Sequence, residues 1–207
     1  MITKEMMAAY NRLARTYDQN RGLFDMGAVF GDFYAVCPPG GGHLLDLGCG
    51  AGEPIPGYFI DKGWQVTGVD FSESMLELAR NYQPGMRTIH ADIITLDMED
   101  GQFDAITAIY SLFHIPRKYH GQIFRNMYRW LKPGGKAMFT YASREYTGSE
   151  AFSGYIEFME ERLFYSHHSP AGLQRLLRQA GFSILSMDYR NIGGETFLWP
   201  VVAKPGG

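Results

Sequence analysis

Between residues 43 and 141, short apolar runs alternate with segments of helical spacing, and few folds accept that pattern. The runs cover residues 43–47, 65–69, 87–90, 103–109 ("FDAITAI") and 136–141. Pro54 opens a helix that reaches Lys62; proline is tolerated in a first turn, and Gly63 supplies the stop. Ser72 is placed to cap the next helix, and Phe71 to staple onto Leu76. Tyr119, Ile123, Met127 and Leu131 mark another helix, which ends in "KPGG". Alternation of this kind predicts an α/β fold with a doubly wound, mostly parallel sheet.

The flanks follow other rules. Ile2, Met6, Ala9, Leu13 and Tyr17 recur at three- and four-residue steps, so residues 2–18 read as an amphipathic helix. Apolar and aromatic residues continue from Arg21 to Tyr34 and stop at Pro38-Pro39-Gly40-Gly41-Gly42. Residues 142–168 are aromatic and polar, with no clean strand. Ser169-Pro170 opens a helix that Gly181 closes. Two largely apolar runs, 182–189 and 195–203, then flank Asn191-Ile192-Gly193-Gly194, which suits an antiparallel hairpin. The 207 residues read as a single domain: a helical cap (1–36), a core (40–141), a cover or lid (142–168), and a last helix with a terminal hairpin (169–203).

Charge excludes several function classes. The net charge is -3 and the longest basic cluster is Arg117-Lys118, so no basic field attracts nucleic acid or anionic lipid. Cys37 and Cys49 are too few for a disulfide framework. His90, Asp92, Asp97, Glu99 and Asp100 cluster without metal-ligand spacing, so no metal is expected. No apolar run approaches the roughly 18 residues of a membrane span. The polar N-terminal helix does not read as a signal peptide. The expectation is a soluble, cytoplasmic protein with no nucleic-acid or membrane partner.

The first strand runs into "DLGCGAGEP", with Gly48, Gly50 and Gly52 at alternate positions. In an open parallel sheet, ligands bind beyond the carboxyl ends of the strands, and glycines there let a ligand approach backbone closely. The spacing is Gly-x-Gly-x-Gly rather than the dinucleotide Gly-x-Gly-x-x-Gly, and Glu53 at the helix start would repel a pyrophosphate. Asp70, 22 residues after Gly48, ends the second strand, where a carboxylate can accept both hydroxyls of a ribose diol or simply favour a helix start. Asp92 follows the third strand; it could accept from an exocyclic ring amine while Ile93 packs on the ring, or be an ordinary turn residue.

Together these segments resemble the class I S-adenosylmethionine-dependent methyltransferases. "DLGCGAG" is similar to their first motif, "VTGVDFSESML" to the segment with the ribose-binding acid, and "ADI" to the adenine contact. "FDAITAIYSLFHIP" is similar to their fourth-strand motif, "LKPGGK" to the turn before strand five, and the tail from "QAGFSI" to their last helix and hairpin. The resemblance implies a seven-stranded sheet whose last strand is antiparallel. It implies S-adenosylmethionine as cofactor, S-adenosylhomocysteine as product, and a cofactor site at Asp46, Gly48, Gly50, Gly52, Asp70, Phe71, Met75, Ala91, Asp92, Ile93, Ile109 and Tyr110.

Enzymes of this kind that modify adenine or glutamine amides tend to carry an Asn/Asp-Pro-Pro-aromatic tetrad after strand four. Here that position reads Tyr110-Ser111-Leu112-Phe113-His114, which favours a small-molecule acceptor. The expected acceptor site draws on Tyr10, Arg21, Phe113, Tyr165 and His167. In-line displacement at a methyl group needs mainly positioning. Where the acceptor must lose a proton, His114 is the expected base, with Tyr17 as its partner; otherwise His114 is a packed polar residue. Three alternatives stand beside this reading: a nicotinamide oxidoreductase on a similar sheet, a macromolecule methyltransferase, and a non-catalytic cofactor-binding protein.

Overall fold

The computed structural model describes residues 2–19 and 26–206. Helices α1 (Ile2–Gln19) and α2 (Gly27–Val36) lead into the alternating region. There β1 (His43–Leu47), α3 (Ile55–Ile60), β2 (Gln65–Asp70), α4 (Glu73–Tyr82), β3 (Arg87–His90) and β4 (Phe103–Ala108) follow in turn. After two short 3₁₀ turns come α5 (His120–Trp130) and β5 (Leu131–Phe139). The chain closes with α6 (Arg144–Thr147), β6 (Phe152–Phe158), β7 (Glu161–His167), α7 (Pro170–Ala180), β8 (Ser183–Ile192) and β9 (Glu195–Ala203).

Seven strands form one sheet in the order β3-β2-β1-β4-β5-β9-β8. Pairing is parallel from β3 through β5, while β9 runs antiparallel to both β5 and β8. The expected hairpin therefore exists, and its last strand inserts between β5 and β8. Gly193 (φ 62°) and Gly194 (φ 87°) make its two-residue turn, a conformation that matches the twist of the flanking strands.

Successive strand residues face opposite sides of the sheet. Leu44 joins one apolar layer, with Phe33, Phe59 and Trp64, whereas Leu45 and Leu47 join the other, with Phe124, Met127 and Trp130. Both sides are covered, which is why the central strands are apolar throughout rather than alternating. Strand β5 begins before its expected start: Leu131 pairs with Phe103, the chain bulges through 132–135, and pairing resumes at Lys136 and Ala105. Ser72 caps α4 as expected, its Oγ accepting from the Met75 N–H at 3.2 Å.

Residues 142–168 depart from expectation. They hold a two-stranded antiparallel sheet, β6 with β7, paired from Phe152↔His167 to Phe158↔Glu161. Strand β6 alternates half-buried and exposed residues along its whole length. Its turn uses Met159 (φ 48°) and Glu160 (φ 64°), residue types that seldom take the left-handed conformation. The strands were thus hidden behind a turn without glycine. Among the described residues, no helix is long and apolar enough to cross a membrane. No group of three or more His, Cys, Asp or Glu among them could hold a metal ion.

Candidate active site

The chain turns sharply where β1 ends, because the N–H groups of Gly48 and Cys49 both donate to the Val69 carbonyl, at 2.7 and 3.0 Å. Gly48 has φ 80°, and a Cβ there would lie 2.4 Å from the Ser111 Cβ, so only glycine fits against the loop after β4. Gly50, at φ 51°, is the opposite case: a Cβ would meet nothing within 4 Å, because the residue fronts a cavity of about 390 Å³. Gly52 is not on the wall of that cavity. It packs against α4 instead, where a Cβ would lie 3.3 Å from the Ala79 Cα.

Two buried carboxylates face the cavity beside this loop. Asp46 points to the same side of β1 as Leu44, and its Oδ1 accepts from the Thr107 hydroxyl at 2.6 Å. Burial pushes its pKa up to about 7, against the pull of Thr107 and with a smaller push from Asp70. Asp70 ends β2. Its Oδ1 accepts from the Ser72 N–H at 2.8 Å and its Oδ2 from the Gly50 N–H at 3.0 Å. Burial raises its pKa to about 6, and the backbone donors oppose that rise. Asp92 follows β3 and folds back on itself, Oδ1 accepting from the Ile94 N–H at 2.9 Å. Asp92, Ile93, Phe71 and Met75 line the cavity, as do Ile109 and Tyr110. Ala91 does not; its N–H donates to the Asp70 carbonyl at 3.0 Å and it serves the strand.

The loop after β4 supplies the other end of the site. Tyr110 sits at φ 54°, with its N–H donating to the Thr140 hydroxyl at 2.5 Å, and Ser111 Oγ donates to the Leu47 carbonyl at 2.6 Å. This directs Phe113 and His114 into the cavity wall. His114 is buried, and both ring nitrogens are engaged: Nδ1 lies 2.7 Å from the Phe164 carbonyl of β7, and Nε2 lies 2.7 Å from the Tyr10 hydroxyl of α1. A carbonyl only accepts, so Nδ1 carries the proton and Nε2 accepts from Tyr10. Burial pushes the His114 pKa down to about 4, so the ring is neutral near pH 7.

Among the described residues, the hydroxyl on His114 Nε2 is that of Tyr10; the Tyr17 side chain, expected as its partner, and all of Arg21 lie outside the described residues. One sequence expectation changes here. His167 is not at the cavity: it is buried at the far end of β7, its Nε2 paired with the Thr147 hydroxyl at 2.8 Å. Tyr10, Phe113 and Tyr165 do line the cavity. Sequence reasoning missed Ile192, Glu195 and Phe197, which the β8–β9 turn brings to the wall, and Phe158 and Met159 at the tip of β6–β7. The signal for Glu195 was its position directly after the Gly193-Gly194 turn, with Phe197 two residues further on the same face of the strand.

Comparison with known proteins gives a consistent family. The family model described as a methyltransferase domain matches residues 45–139. The 2-phytyl-1,4-naphtoquinone methyltransferase of Nostoc punctiforme is 32% identical over 151 residues, 66% of this chain and 64% of that protein. Phosphoethanolamine N-methyltransferase 3 of Arabidopsis thaliana is 32% identical over 149 residues, 69% of this chain but 29% of that protein. The chain thus spans less than two thirds of the length of these relatives. Among solved structures, 1,6-didemethyltoxoflavin-N1-methyltransferase of Burkholderia thailandensis, with bound 1,6-didemethyltoxoflavin and S-adenosylhomocysteine, superposes with a TM-score of 0.69. That match has 19% identity and covers 99% of this chain and 91% of the other, so it speaks for the fold.

Proposed function

We propose, from the premise that this chain belongs to the class I S-adenosylmethionine-dependent methyltransferase family, that it transfers a methyl group from S-adenosylmethionine to a small-molecule acceptor. When bound, S-adenosylmethionine supplies an electrophilic methyl group on a sulfonium, and S-adenosylhomocysteine is left.

The observation that carries this reading is the convergence of Asp46, Gly50, Asp70 and Asp92, from the ends of three strands, on one cavity. The donor set suits the cofactor. A carboxylate offers about four acceptor sites, and Asp70 gives one to Gly50 and one to Ser72, leaving acceptors for a ribose diol. Asp46 lies beside the glycine loop, where the positive methionyl groups would restore its charge. Asp92 would accept from the adenine amine, with Ile93, Phe71 and Met75 packing the ring. Gly50 leaves the space a close approach requires.

At the acceptor end, Tyr10 and His114 form a hydroxyl–imidazole pair whose Nε2 can take a proton through the tyrosine oxygen. In this reading α1 and residues 142–168 cover the acceptor and exclude water from the reactive centre. Contacts between α1 and β7 support it: Arg12 pairs with Glu161, and the Phe164 N–H meets Met6 Sδ at 3.2 Å. Calorimetric titration tests the reading. S-adenosylhomocysteine should bind in the micromolar range and NAD should not; the reverse result overturns it. A methylated product from a metabolite extract supplied with labelled cofactor would identify the acceptor.

A further inference from the structure

Two carboxyl groups on the cavity wall, Glu53 and Glu195, have no part in the transfer just described. Glu195 opens β9 directly after the Gly193-Gly194 turn and is half-buried at the acceptor end. Its surroundings are rings. Phe113 stacks on Tyr165 at 5.2 Å and 9° and on Phe197 at 5.1 Å and 14°. Tyr146 packs against Tyr165 and Phe197, at 5.3 and 4.6 Å, and its hydroxyl donates to that of Tyr165 at 3.2 Å. Burial raises the pKa of the Glu195 carboxyl, and the neighbouring Tyr146 side chain works against that rise.

A carboxylate held in such a wall is costly unless a donor answers it. The charge around it points the same way. Five carboxylates line the cavity, Asp46, Glu53, Asp70, Asp92 and Glu195, and no lysine or arginine among the described residues does. A phosphate or carboxylate on the acceptor would therefore enter against like charge, with no described cation to receive it.

We propose that Glu195 determines acceptor specificity: it selects a flat aromatic acceptor that carries an amino or hydroxyl donor, uncharged or cationic, and rejects the anionic analogue. Phe113, Tyr165 and Phe197, stacked face to face, line the cavity, and their edges can pack against the body of such a molecule. Glu195 then accepts from its donor. This inference rests on the proposed methyl transfer to a small molecule, which it narrows to one chemical class.

Three probes that share one ring test it: tyramine (cation), 4-ethylphenol (neutral) and 4-hydroxyphenylacetate (anion). Each is titrated calorimetrically into the protein saturated with S-adenosylhomocysteine. The anion should bind at least about tenfold more weakly than the other two, about 1.4 kcal/mol. Glu195→Gln should reduce that gap to under about threefold, about 0.7 kcal/mol, and Glu195→Asp, which keeps the charge, should retain it. Circular dichroism establishes that each variant is folded. Equal affinities, a tighter anion, no binding by any probe, or an unchanged gap in Glu195→Gln would each overturn the proposal. Failure of S-adenosylhomocysteine to bind would instead strike the methyltransferase reading, and titration of the three probes into the protein alone would still decide the role of Glu195.

Discussion

Asp70 does two jobs in one side chain. It ties the glycine loop to the start of α4 through the Gly50 and Ser72 N–H groups, and it presents its remaining acceptors to the cavity. Asp70→Ala should weaken S-adenosylhomocysteine binding by on the order of 2–4 kcal/mol, since hydrogen bonds to a charged group are worth about 1.5–3 kcal/mol each. The same change strands two backbone donors, so thermal stability should fall as well. Calorimetry and melting curves measured on one preparation separate the two effects, and less than a twofold change in dissociation constant would refute the ribose role. Gly50→Val is the complementary variant. Its side chain would enter open cavity rather than core, so binding should be lost while the sheet persists. Its left-handed φ of 51° will still cost some stability, on the order of 1–2 kcal/mol for a non-glycine residue.

Among the elements, α1 and the β6–β7 pair are anchored differently from the sheet. The β6–β7 pair is a separate two-stranded sheet, and two strands alone are marginal in water. It is held by Ser166 Oγ donating to the Ile115 carbonyl at 2.6 Å and by the His114–Phe164 bond. Helix α1 is held by Ser72 Oγ donating to Asn11 at 2.5 Å. Hydrogen exchange should therefore find α1 and residues 142–168 less protected than β4 in the free protein. S-adenosylhomocysteine should slow exchange in α1, and an acceptor should then slow β7. Protection equal to that of β4 before any ligand is added would refute this order. The same elements mark how far the sequence could be read. The strands from β1 to β5 were legible because burial on both faces leaves uninterrupted apolar runs, and glycine or proline bounds them. The β6–β7 pair was not, because β6 alternates half-buried with exposed residues, β7 buries polar Ser166 and His167 among its apolar residues, and Met159 and Glu160 make the turn. The cavity residues proposed to hold the cofactor, Asp46, Gly50, Asp70 and Asp92, were legible as a cluster because they sit at strand ends in fixed order. Glu195 was not assigned its place, and Tyr10 was placed at the acceptor site but not paired with His114, because only the packing of β9 and α1 against the loop after β4 makes those contacts.

For the whole molecule, buried titratable groups pull stability in opposite directions with pH. His114 and His120 have folded pKa values of about 4, below the 6.5 of the free side chain. Their contribution is complete above pH 6.5 and is lost as pH falls towards 4, ~3 kcal/mol each. Asp46 and Asp70, with folded values of about 7 and 6, are raised above 3.8. Burying their charge destabilises the fold at high pH, and that penalty is relieved as pH falls through 7 and 6 towards 4. The two sets are of similar size and opposite sign, so the wild-type melting temperature should vary little between pH 7 and 5. Asp46→Asn removes one of the opposing groups. Its melting temperature should be higher than wild type at pH 7 and should drop more steeply down to pH 5. Parallel profiles for the two proteins would show that Asp46 is not the group responsible.

The imidazole of His114 answers to two separate parts of the chain, one nitrogen to α1 and the other to β7. Either partner leaving would wet the ring and let its affinity for protons climb back towards that of free histidine. The titration of this one side chain is thus a gauge of enclosure. Followed by nuclear magnetic resonance, its midpoint should sit near 4 when both partners are in place and drift upward as they spend more time apart. Enclosure thus trades basicity for order: shut, the site holds an assembled but weakly basic pair, and open, it would hold a more basic imidazole without its partners.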